Sequence, residues 1–218
     1  VARTNRGIKQ INKKEMANNL KSFVEVKGNE EVVKLIDSLI DKVNDNNSDS
    51  PVTAFATAFY DDVDLSEDRG VMNSWSLDNL GSKWTTLYDV IDEGAFSIES
   101  AWYPPKQFFI HLYNLCFPLD NEVVIEVKYE DETFNPVGAL VVKTVSYEGD
   151  EGKVLEGSLW VEQTEMEDPT VDMDWEDENY DEVQMDFMES VSETQDVLLS
   201  QCLELVETDG LSFDDVDK

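Results

Sequence analysis

The chain has 218 residues, 49 acidic against 16 basic side chains, one histidine, two cysteines and a formal charge of −33. Its 41% apolar content, with ten Phe, seven Tyr and five Trp, is enough for a core and sets it apart from a disordered acidic polymer. The charge argues against a direct grip on nucleic-acid phosphates or anionic lipid, and no run reaches the roughly 18 apolar residues of a membrane span.

Residues 1–17 read as a basic N-terminal arm; no apolar stretch follows Val1 to Gly7, so no secretory signal is expected. Residues 20–27 alternate as a strand closed by Gly28. Asn29 offers an N-cap with Glu30 and Glu31 behind it, and Val32, Ile36, Leu39, Ile40 and Val43 predict an amphipathic helix over 30–45. Ser50-Pro51 is a cap-plus-first-turn signal, and Phe55 and Phe59 share one face of a short second helix. An acidic loop spans 61–70. Strands at 84–91 and 95–102 are joined by Asp92-Glu93-Gly94, with Gly94 supplying the left-handed residue.

Pro104-Pro105 stops that hairpin and opens a helix whose buried face is Phe108, Phe109, Leu112, Leu115 and Cys116. Strands follow at 122–129, 137–147 and 154–162. The order β-α-insert-β-β-α-β predicts an α+β fold: a ferredoxin-like split βαβ core over 18–164, with a helical insert near 50–70 and an extended antiparallel sheet. Residues 165–218 form an appended acidic helical element. From Tyr180 onward, Val183, Phe187, Met188, Val191, Val197, Leu198, Cys202, Leu205 and Val206 recur at helical intervals. That predicts one long helix, or two broken near 192–195, covered by the domain or by a second copy of the chain as a homodimer.

Charge is unevenly spread. Residues 1–42 carry nine basic and six acidic groups, whereas 154–218 carry one and 22. An ordered acidic element of this kind suits a basic partner surface, and the residues expected to form it are Glu165, Glu167, Asp168, Asp172, Asp174, Glu176, Asp177, Glu178, Asp181, Glu182, Asp186 and Glu189. The solvated, solubilising face stands beside that reading.

Chemistry finds little support. His111 and Cys116 lie five residues apart, about 140° around a helix, so they cannot meet there. The run from Asp172 fails as an EF-hand, because the sixth and twelfth positions are Asp177 and Val183, or Asn179 and Met185 counted from Asp174. There is no phosphate loop and no Cys/His cluster, so no catalytic residue, metal or cofactor is expected. Cys116 and Cys202 read as buried thiols of a reducing cytosol. Trp84 and Trp102 have two readings: anchors tying sheet to helices, or an aromatic platform with Lys83 for something planar or anionic.

Three segments carry a resemblance: Asn79-Leu80-Gly81-Ser82-Lys83-Trp84, Ala101-Trp102-Tyr103-Pro104-Pro105 and Tyr129-Glu130. They resemble the YubB ferredoxin-like family of bacteriophages and conjugative plasmids over residues 18–150, through Asn79, Gly81, Lys83, Trp84, Trp102, Pro104 and Pro105. The resemblance implies a ferredoxin-like fold, a phage or mobile-element origin and no enzymatic activity. The expected function is a non-enzymatic, phage-encoded inhibitor of a host defence or restriction protein. It would act in the infected cell's cytoplasm on a basic or DNA-binding target through an acidic, DNA-mimicking surface. A phage structural or assembly component, and a small enzyme using the Lys83/Trp84 loop, are the alternatives.

Overall fold

The computed structural model describes residues 18–46, 48, 50–61, 63, 65, 68–149, 152–171, 173–177 and 179–213. The arm at 1–17, Asp172 and Glu178 lie outside the described residues. In chain order the elements are β1 (Asn19–Lys27), α1 (Glu30–Asp45), α2 (Pro51–Phe59), α3 (Arg69–Leu80), β2 (Thr86–Asp92), β3 (Ala95–Ala101), α4 (Lys106–Cys116), β4 (Val124–Asp131), β5 (Val137–Gly149), β6 (Gly152–Thr164), α5 (Tyr180–Thr208) and β7 (Leu211–Ser212). The strands form one antiparallel sheet in the order β2-β3-β1-β4-β5-β6-β7. The fold is α+β, with helices on both faces of the sheet.

Alternation along the central strands divides the two faces. Ile125, Val127 and Tyr129 of β4 and Leu140 and Val142 of β5 point into the main core. There they meet Val32, Ile36 and Ile40 of α1, Phe55 and Phe59 of α2, Leu80 of α3, and Phe108, Phe109 and Leu112 of α4. Local chemistry starts these helices where expected. The Asn29 side chain accepts from the N–H groups of Glu31 and Val32 at 2.9 and 3.1 Å, and Ser50 Oγ accepts from Thr53 N–H at 3.3 Å ahead of Pro51.

The opposite residues of β5, Val137, Ala139 and Val141, carry α5. Its stripe of Phe187, Val191, Gln195, Leu198, Cys202 and Val206 is buried on them. Gln195 keeps its amide satisfied by donating Nε2 to Tyr129 O and to Glu130 Oε2, both at 3.2 Å. Phe134, held at φ 58°, turns its ring edge-on to Phe187 at 4.8 Å.

Several expectations are corrected. Arg69-Gly70 does not end a loop; it opens α3, where Asp68 Oδ1 accepts from Gly70 and Val71 N–H at 2.7 and 3.3 Å. Trp84 and Trp102 fall outside β2 and β3, because both adopt left-handed backbone incompatible with a strand. α5 runs unbroken, since Gln195 continues its buried stripe through the segment where a break was open. β5 and β6 extend past their expected ends to meet at Gly149 and Gly152, and β7 adds a short return strand beside Ser158 and Leu159. The outer strand β2 has two register shifts against β3, and Asp89 Oδ1 accepts from the adjacent Val90 N–H at 2.9 Å. Among the described residues no helix is long and apolar enough to cross a membrane.

Candidate interaction surface and tryptophan cluster

α5 presents an acidic stripe. At 100° per residue, Glu182, Asp186, Glu189, Glu193, Asp196, Glu204 and Glu207 fall within an arc of about 80°, centred roughly opposite the buried row. All seven are exposed. Two sit beside cations of the sheet: Asp196 accepts from Lys128 Nζ, and Glu207 accepts from Lys143 Nζ at 2.7 Å. The Lys143 hydrogen bond and charge hold the Glu207 carboxyl below its ordinary value. The other five have no ion pair among the described residues. Their like charges at three- and four-residue spacings repel along the helix, so the apolar seam beneath must hold α5 in place.

The stripe is sparser than nucleic acid. Seven carboxylates over 26 residues, at about 1.5 Å rise, give about one charge per 5 to 6 Å, against about one per 1.7 Å of duplex axis. Asp181 lies at the stripe's flank. The preceding loop adds exposed Glu165, Glu167 and Glu176. Asp174 and Asp177 are exposed as well and Asp168 is half-buried, and all three carboxylates accept from nearby backbone. Asp168 Oδ1 accepts from Thr170 N–H at 2.8 Å, Asp174 Oδ1 from Glu176 N–H at 3.2 Å, and Asp177 Oδ2 from Asp174 N–H at 3.1 Å. Among the described residues no group of His, Cys, Asp and Glu is arranged to hold a metal ion.

The motif residues divide into scaffold and display. Asn79 is scaffold: its Nδ2 donates to Trp75 O at 2.9 Å and its carbonyl accepts from Tyr60 Oη–H at 2.9 Å. Gly81 ends α3 at φ 80°, a conformation strained for any side chain, and a Cβ there would displace the Gln107 amide, whose Oε1 lies 1.7 Å from that position. Pro104 and Pro105 are buried ahead of α4. Lys83, Trp84 and Trp102 are the displayed part. The indoles stand 6.0 Å apart, tilted by 36°, with Lys83 Nζ 5.3 Å from the Trp102 ring centre.

Both tryptophans are strained. Trp84 has φ 56° and Trp102 φ 64°, left-handed conformations that cost bulky residues about 1–3 kcal/mol each. Long-range hydrogen bonds impose them. Ala101 N–H donates to Lys83 O at 3.0 Å, Trp102 N–H to Asn18 O at 3.1 Å, and Tyr103 N–H closes a three-residue turn on Ala101 O at 2.8 Å. Ser82 Oγ donates to Ala101 O at 2.7 Å and Ser100 Oγ to Tyr103 O at 2.9 Å. Trp84 is 44% exposed and Trp102 40%, so each is more than half covered while part of it faces solvent. A cavity of about 460 Å³ opens beside Trp84, lined also by Val52, Arg69, Met72 and Asn73. The α3 contributors were missed with the helix itself; Asp68, as an N-cap, was the available signal.

His111 is structural. Its ring stacks on Tyr60 at 3.9 Å and Nε2 lies 2.8 Å from Phe59 O. Burial pushes the thiols of Cys116 and Cys202 up to about 12, so neither is a thiolate at neutral pH. No family model matches the chain, and comparison with curated proteins and with solved structures likewise gives no match.

Proposed function

We propose that the chain is a non-enzymatic interaction protein: a phage-encoded inhibitor that offers the outer face of α5 to a basic, DNA-binding surface of a bacterial defence or restriction protein in the host cytoplasm. The observation that carries this reading is the single-sided stripe of Glu182, Asp186, Glu189, Glu193 and Glu204, unpaired among the described residues and borne by a helix seated on a sheet. A rigid row of like charges steers a complementary surface and gives association rates that fall with salt. Mimicry is of field direction along one face, since these five carboxylates give about a quarter of the charge density of duplex DNA. Val171 and Trp175 in the loop ahead of α5 and Met185 on it, each more than 70% exposed, supply apolar contacts suited to a protein partner.

The same reading takes β1, α1, β2, β3, α4 and β4, in sheet order β2-β3-β1-β4, as a ferredoxin-like core of the YubB type. On it α2 and α3 are an insert, and β5, β6 and α5 an extension.

The test is a DNA-cleavage assay with restriction-proficient bacterial extract, comparing the chain with a variant carrying Glu182→Gln, Asp186→Asn, Glu189→Gln, Glu193→Gln and Glu204→Gln. The native chain is expected to protect DNA at low salt and lose protection as salt rises, and the variant to protect at least about tenfold less. Equal protection by a folded variant, or none by either, sinks the proposal. Salt-sensitive capture of virion proteins alone moves the chain to the assembly alternative.

A further inference from the structure

A second surface, remote from α5 in the chain and independent of the reading above, carries the chemistry of a small-ligand site. We propose that the cavity beside Trp84 binds a mononucleotide, with the base stacked on the Trp84 indole, its edge read by Asn73 and the phosphate held by Arg69.

Three observations converge there. The first is display at a cost. Three non-glycine residues among those described have a left-handed backbone, and at one of them, Phe134, the strain seats a ring against Phe187 and docks α5. At Trp84 and Trp102 the same conformation leaves each residue 40% or more exposed, covered in part by the other indole and by Lys83, and Trp84 borders an open cavity. A ligand that covers the ring supplies the missing contact.

The second is unspent positive charge. The chain has about three acids for every base, yet neither Arg69 nor Lys83 has an acidic partner among the described residues. Lys83 rests over Trp102, and Arg69 lies exposed at the first position of α3, on the cavity wall. A guanidinium so placed fits a phosphate bidentately.

The third is the cavity's composition. Its volume of about 460 Å³ falls within the range of small-ligand sites. Val52 and Met72 give it an apolar floor, and Met72 Sδ is fixed by hydrogen bonds from Ser50 Oγ at 3.6 Å and Thr53 Oγ1 at 3.8 Å. Among the described residues of the wall Asn73 is the only carboxamide, and it matches the paired donor and acceptor of an adenine edge. Flat face, amide and guanidinium together select a heteroaromatic ring bearing an anionic group. The −33 charge disfavours a polynucleotide more than a single phosphate, which places the mononucleotide first.

Titration calorimetry in 150 mM salt, where remote carboxylates are screened beyond about 8 Å, tests this with adenosine monophosphate, adenosine and inorganic phosphate as probes. Saturable one-to-one binding of the monophosphate is expected, with adenosine at least about tenfold weaker and phosphate alone without measurable heat. Arg69→Gln should weaken the monophosphate about tenfold and leave adenosine unchanged. Trp84→Leu should abolish binding of both, with its fold checked by circular dichroism; Asn73→Ala, on a partly exposed helix position, should erase the preference for adenosine over uridine monophosphate. No saturable binding up to about 5 mM, or equal binding by Arg69→Gln, overturns the proposal. Tighter binding of a single-stranded pentanucleotide than of the monophosphate overturns it in favour of a strand-binding site.

Discussion

One face of the sheet is sealed by aromatic rings, the other by a single helix on small residues. On the first, Phe55, Phe59, Phe96 and Phe108 interlock at ring separations of 4.8 to 6.5 Å, with Phe109 behind them, all buried. On the second, α5 rests through Leu198, Cys202 and Val206 on Ala139 and Val141, and through Phe187 and Val191 on Val137. The aromatic layer joins four helices to five strands. The α5 seam is one side chain deep and works against a row of like charges on its outer side. The layer that carries the proposed contact surface is therefore the one expected to open first.

The largest expected effect lies in the thick layer. Phe108→Ala should cost about 3–5 kcal/mol by urea unfolding, and Leu198→Ala in the seam about 2–3 kcal/mol. Equal costs would erase the distinction between the faces. A second comparison uses the native thiols, one on each side: Cys116 in the aromatic layer, Cys202 in the seam. Under mild urea, Cys202 should react with a thiol reagent at least about tenfold faster than Cys116, the difference made by about 1.4 kcal/mol in opening free energy. Simultaneous labelling would mean that α5 leaves only when the whole domain unfolds.

The smallest effect concerns Glu130 at the margin of the seam. Burial raises its carboxyl above the ordinary value, partly offset by the Gln195 hydrogen bond and the charge of Lys21. An acid raised in the folded state contributes stability that is complete below its unfolded value and is lost as pH climbs through the folded one. Glu130→Gln should therefore raise Tm at pH 7, with the gain closing below about pH 4. A gain that persists unchanged in acid would assign the effect to packing.

Elements with a strong stripe or cap were legible in the sequence. α1 announces itself through Asn29 and its buried row, and α5 through a stripe that only Gln195 obscures. α3 was hidden because it buries just Ser76 and Leu80, so no apolar period marks it. The motif around Trp84 and Trp102 stood out by composition, but its geometry did not. The left-handed turns are set by hydrogen bonds from Ala101 to Lys83 and from Trp102 to Asn18, partners distant in the chain. The cavity followed α3 into obscurity, since Arg69, Met72 and Asn73 share a wall only once that helix exists.

The outer strand β2 has a further consequence. It carries Tyr88, Val90 and Ile91 at the sheet's rim, a composition that in a straight strand would template addition of another chain and seed fibrils. Its two register shifts bend the rim, and the Asp89 side chain takes up the Val90 N–H. Concentrated stocks should accordingly stay monodisperse by light scattering even where salt has masked the protein's negative charge.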